Sequence, residues 1–86
     1  MRIGYSKQFK KQYKKLHKNN RDKFVVKLNL LLKNPNNPAL SLHKLHGKLK
    51  NHMSINVTGD IRAVFVYISS YTIDFVAIGS HSDLYS

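Results

Sequence analysis

Between His52 and Ile68 the chain reads HMSINVTGDIRAVFVYI, and the fold turns on that stretch. Met53, Ile55 and Val57 alternate with Ser54, Asn56 and Thr58, the period of two that marks a half-buried strand. Gly59-Asp60 is a turn signal. Ile61 to Ile68 then form a nearly unbroken apolar run, as expected of a central strand, with its one charge, Arg62, beside the turn. Ser69-Ser70 makes the next turn, and residues 72 to 79, TIDFVAIG, supply a third strand before the tail SHSDLYS. The pattern predicts an antiparallel meander of three strands.

Upstream the period becomes helical. Residues 2 to 5 suit a short first strand, and Ser6 can cap a helix running to about Lys18, in which Phe9, Tyr13 and Leu16 form a narrow apolar stripe among lysines. Asn19-Asn20 can cap a second helix with Phe24, Val25, Leu28, Leu31 and Leu32 on one face. It must stop near Asn34, because Pro35 restricts the residue before it and has no N–H, and Asn36, Asn37 and Pro38 continue the loop. Two helices with so short a join predict an antiparallel hairpin. The architecture is therefore α+β, with a short N-terminal strand, a helical hairpin and a three-stranded meander. The helices should cover one face of the sheet and leave the other face and the loops for function.

At 86 residues the chain has room for one core, so residues 1–86 are expected to form a single domain. It has no cysteine, which removes disulfides and thiolate zinc sites as means of support. No apolar run approaches a membrane span, and MRIGYSKQF lacks the zones of a signal peptide, so no membrane association and a cytoplasmic location are expected. The net charge is +11, unevenly placed: residues 1 to 50 hold fourteen Lys and Arg against Asp22, whereas residues 51 to 86 hold Arg62 against Asp60, Asp74 and Asp83. A cationic field of that size on a small domain selects polyanions, nucleic acid first. The plainer alternative is a solvated, lysine-rich helix face.

Four of the five histidines, His43, His46, His52 and His81, fall in the second half, where the fold should bring them near Asp60, Arg62 and Tyr85. Cleaving an RNA phosphodiester needs a base for the 2′-hydroxyl proton, a cation for the charge developing on phosphorus, and an acid for the leaving oxygen. Histidine, whose ordinary pKa lies near neutrality at about 6.5, carboxylate and arginine can fill those roles. The competing uses are histidines scattered by composition, and a metal site on His43 and His46 with Asp60 or His81. LHKLHGKLK is expected to be loop and turn, broken at Gly47, which does not suit a metal pair, and no metal or other cofactor is expected. Tyr67 and Tyr85 suit either packing or stacking on a base.

Taken in order, the lysine-rich helices, LHKLHGKLK, SINVTGDIRAVFVY and GSHSDLYS resemble the RelE/ParE superfamily of bacterial toxins, and within it the YafQ-like branch. The resemblance spans essentially the whole chain. It implies the toxin of a type II toxin-antitoxin system, an endoribonuclease that cleaves mRNA at the ribosome without a metal and is neutralised by a cognate antitoxin. Residue by residue, it implies that His43, Asp60, Arg62, His81 and Tyr85 are catalytic: His81 as acid, His43 or Asp60 as base, Arg62 on the scissile phosphate, Tyr85 at an aromatic position. Lys44, His46, Lys48, Lys50, His52 and Asn56 would then bind mRNA or ribosomal RNA, the lysines holding backbone phosphates. The chain departs from the branch at Asn56, where an active-site histidine stands in its relatives, and at Ile61, where they carry tryptophan. The rival readings are a ParE-like inhibitor of DNA gyrase and a non-catalytic module that binds RNA or an antitoxin.

Overall fold

The computed structural model describes residues 1–85. Strand β1 (Arg2–Tyr5) leads into helices α1 (Lys7–Lys15) and α2 (Lys18–Lys33). Strands β2 (His43–Lys44), β3 (Met53–Asn56), β4 (Ile61–Ser69) and β5 (Thr72–Ser80) follow, and helix α3 (His81–Tyr85) comes last. The class is α+β, and the expected meander β3–β4–β5 is antiparallel throughout. Two further strands widen it to five, in the order β1-β5-β4-β3-β2. β1 lies parallel to β5 with Ile3 opposite Ile73, and β2 lies antiparallel to β3 with His43 opposite Ser54.

Ser6 opens α1 as its sequence position predicts. Its Oγ accepts from the Phe9 N–H at 3.0 Å and its hydroxyl donates to the Val76 carbonyl at 2.9 Å. The second bond explains where α1 lies. β1 is paired with β5 only as far as Tyr5 opposite Phe75, beyond which the β5 edge would present unpaired backbone. α1 covers that edge instead, and Gln12 Oε1 accepts from the Ile78 N–H at 2.9 Å.

The elements differ from expectation in five places. α1 ends at Lys15, because Leu16 and His17 are extended. The break is held by Arg21, whose Nη1 donates to the Leu16 carbonyl at 2.8 Å. His17, not Asn19 or Asn20, occupies the cap position of α2. Val25 and Leu32 are exposed, since the inward stripe runs through Phe24, Leu28 and Leu31, at i, i+4 and i+7, and residues one step further round a helix face away. The C-terminal segment is a single helical turn, and LHKLHGKLK contains the strand β2 before its 3₁₀ turn at Gly47–Leu49.

One sheet face carries the core. Ile55, Ala63, Phe65, Ile73, Phe75 and Ile78 meet Phe9, Phe24, Leu31 and Leu40. The Phe75 ring stands at the centre, with centroids of Phe24, Phe65, Phe9 and Tyr5 at 5.2, 5.3, 5.7 and 6.0 Å. Phe75 and Ile78 are three residues apart, so a regular strand would turn them to opposite faces. The register shifts between Val64 opposite Ala77 and Phe65 opposite Phe75, leaving Val76 without a partner. That bulge lets both side chains face the core. It also hands Ala77 and Gly79 to the other face.

Candidate active site

On the face away from the core, strand pairing lines up His43, Ser54, Val64 and Ala77 in one row and Asn56, Arg62 and Gly79 in the next. Adjacent strands lie about 4.8 Å apart, so each row is a short walk across the sheet. This face is not bare. Ser80 Oγ accepts from the Asp83 N–H at 3.1 Å and starts α3, which folds back with Leu84 beside Gly79. Tyr85 then donates its hydroxyl to Ser54 Oγ at 3.2 Å. Ser54 is completely buried, and this bond satisfies it.

The helical turn fixes His81. Its backbone N–H donates to the Asp60 carbonyl at 3.2 Å, which ties it to the β3–β4 turn, and its ring meets that of Tyr85 edge to face at 4.7 Å. His81 therefore touches Tyr85, Tyr85 bonds Ser54, and Ser54 lies directly opposite His43. Residues far apart in sequence are linked across one face.

His43 is oriented by its own loop. Its Nδ1 lies 2.8 Å from the Ser41 carbonyl, which can only accept, so Nδ1 carries the proton. In the neutral ring Nε2 is then left with a free lone pair, the form a general base requires. His52 has the same arrangement with the Lys50 carbonyl at 3.2 Å. Arg62 reaches back to the turn, where Nη1 donates to the carbonyls of Thr58 and Gly59, each at 3.0 Å. Among the described residues its Nε and Nη2 make no hydrogen bond, so a fixed guanidinium keeps two donors for an anion. Asp60 sits exposed at the tip of the turn, which Thr58 Oγ braces by accepting from the Asp60 and Ile61 N–H groups.

A recess of about 300 Å³ borders this cluster, lined by Gln8, Gln12, His52, Val64, Asp83 and Leu84 among others. His43, Arg62, His81 and Tyr85 share this face with Asn56, and Asp60 stands at the adjoining turn, whereas His52 lies at the other end of β3, on the rim of the recess, so it is not brought beside Asp60 and Arg62. Lys44, His46 and Lys50 do not join them: strand alternation sends Lys44 to the face opposite His43, where all three line a separate recess with Met53 and Tyr67. The expectation that His46 would lie near Asp60, Arg62 and Tyr85 is thus corrected, and the His43/His46 pair is split between faces. Lys48 is exposed on the 3₁₀ turn. Among the described residues no three His, Asp or Glu side chains are grouped as a metal centre requires, and no helix is long and apolar enough to cross a membrane. Sequence reasoning passed over Ser54, Gln8 and Gln12. Ser54 had a signal in its place on the polar side of the alternating strand; the two glutamines had none, because only the β5 bulge and the path of α1 bring them here.

The family model for YafQ, the bacterial toxin of a type II toxin-antitoxin system, matches residues 1–86. Among solved structures, YafQ from E. coli strain BL21(DE3) superposes with a TM-score of 0.85 at 24% identity, covering 100% of both chains. A chain of the E. coli DinJ-YafQ toxin-antitoxin complex matches with a TM-score of 0.80 at 24% identity over 98% of this chain and 96% of that one. The YoeB/ParE toxin from Agrobacterium tumefaciens matches with a TM-score of 0.78 at 14% identity over 94% and 99%. No curated protein sequence matches the chain.

Proposed function

This chain belongs to the YafQ family of type II toxin-antitoxin toxins, within the RelE/ParE superfamily, and from that premise we propose that it is a metal-independent endoribonuclease cleaving mRNA at the ribosome. The observation that carries the reading is the chain of neighbours from His43 through Ser54 and Tyr85 to His81, with Arg62 in the adjoining row. In the proposed reaction His43 Nε2 takes the proton from the ribose 2′-hydroxyl, and the freed oxygen attacks the adjacent phosphorus. Arg62 holds the charge that builds on the phosphoryl oxygens. His81 gives a proton to the departing 5′-oxygen, so that the products are a 2′,3′-cyclic phosphate and a 5′-hydroxyl. Asp60 positions His81 through its backbone carbonyl, and Tyr85 does so through its ring. Asn56 faces the RNA beside the reacting centre, and His52 meets it on the rim of the recess.

Induced expression of the chain in bacteria tests this. The expected result is growth arrest accompanied by new, in-frame ends in a reporter mRNA mapped by primer extension. Arrest with intact mRNA would point to a target such as gyrase. Neither arrest nor cleavage would leave a non-catalytic module.

A cognate antitoxin is the second part of the proposal. An apolar groove of about 390 Å³ runs between α1, α2 and β1, lined by Tyr5, Phe9, Tyr13, Phe24, Val25 and Leu28 and flanked by Lys10 and Lys14. Its chemistry suits an acidic segment that orders on binding and buries an apolar side. The product of the adjacent reading frame should co-purify with the wild-type chain, and Val25→Asp should abolish that recovery. Undiminished recovery would move the antitoxin elsewhere.

A further inference from the structure

The far side of β2 carries a recess that the proposed chemistry leaves unused. It measures about 440 Å³ and is lined by Lys44, Leu45, His46, Lys50, Met53 and Tyr67, together with Asn51. No carboxylate lines it. Its shape comes from the loop between β2 and β3, where Gly47, the first residue of the 3₁₀ turn, and Asn51, just beyond it, adopt left-handed φ of 69° and 73°. These two residues turn the chain back until the Leu45 N–H donates to the His52 carbonyl at 3.0 Å, which brings Lys50 round beside Lys44. The floor is rigid. Tyr67 belongs to the central strand β4 and stands edge to face on the buried Phe65 at 5.5 Å, yet remains 49% exposed.

We propose that this recess binds one nucleotide of a single-stranded RNA, with the base stacked on Tyr67 and the phosphate held by Lys44 and Lys50. The assignment rests on the RNA-directed reading above and adds a subsite to it. A nucleotide joins a flat aromatic body to an anion, and the recess offers a fixed aromatic ring, apolar Met53 and Leu45, and two cations in one place. Free phosphate would leave the ring unused, as would the carboxylates of an acidic peptide. Continuity with the catalytic cluster favours RNA further. His43 and Lys44 are consecutive on an edge strand and point to opposite faces, so a strand rounding that edge meets the base on one side and this recess on the other.

The test is fluorescence anisotropy with a labelled, fully 2′-O-methylated uridine octamer, which cannot be cleaved by a 2′-hydroxyl attack. Tyr67→Ala should weaken binding about ten-fold, because losing a base stack has roughly that effect, while Tyr67→Phe should bind as wild type. Lys44→Gln with Lys50→Gln should weaken binding and reduce the log–log salt slope by about 0.7, the share of the one phosphate they hold on a single strand. Wild-type affinity in Tyr67→Ala overturns the proposal, and so does an unchanged salt slope in the lysine pair. Weakening by the lysine changes alone would mean a general anion patch, which also overturns it. The nuclease reading fails separately: if the wild type cuts no RNA but Tyr67-dependent binding persists, the subsite stands without that chemistry.

Discussion

Replacing His81 with alanine is expected to slow mRNA cleavage by about 10²- to 10⁴-fold, the range that a positioned general acid supplies. His81 is exposed at the start of α3, and what anchors the turn there is its backbone N–H to Asp60 and the Ser80 cap, both of which alanine keeps. The fold should survive, and co-purification with the antitoxin should too, because the apolar groove beside α2 shares no lining residue with the cluster. Induced expression of His81→Ala beside wild type, with growth followed and mRNA ends mapped, reads the effect. Loss of both arrest and cleavage in a protein that still captures its antitoxin assigns the acid. Arrest that persists without cleavage would remove RNA as the target, and undiminished cleavage would hand the proton to another group.

The strands were legible because their signals are local. Alternation from Met53 to Thr58, the Gly59-Asp60 turn and the apolar run after Ile61 each follow from residues next to one another, and the meander appears where they place it. What escaped depends on distant partners. β2 is only His43 and Lys44, too short to show a period, and it exists because β3 has an edge to pair. The extended join at Leu16 and His17 needs the Arg21 side chain, and α3 needs Ser54 to receive Tyr85. The site follows the same rule. His43, Asp60, Arg62, His81 and Tyr85 could be proposed by residue type and by resemblance; His43, Arg62, His81 and Tyr85 lie on one face, with Asp60 at the adjoining turn. That His46 would part from His43 depends on a strand of two residues, whose alternation turns neighbouring side chains to opposite faces. The bulge at Val76 is the other hidden device, since nothing in TIDFVAIG marks the residue that goes unpaired.

That bulge makes Phe75 the residue on which the whole arrangement leans, and Phe75→Ala is expected to cost about 3–5 kcal/mol. The ring is fully buried and meets Tyr5, Phe9, Phe24 and Phe65, so it joins β1, α1, α2 and β4 at one point. A chain of this length has about 4–13 kcal/mol of stability in total, so the variant should be marginal or unfolded when isolated. Urea denaturation followed by circular dichroism measures it, with the exposed Val26→Ala as a control expected to shift stability by no more than about 0.5 kcal/mol. A cost below about 1 kcal/mol for Phe75→Ala would mean that the cavity collapses without loss, contrary to the packing described. The consequence for activity separates this residue from His81. Phe75 touches nothing in the cluster, and its loss should lower cleavage only as far as it lowers the folded fraction. Binding of the antitoxin to the native state should restore that fraction by mass action. His81→Ala, by contrast, should be fully folded and inactive, so the two variants distinguish the packing that builds the face from the proton that works on it.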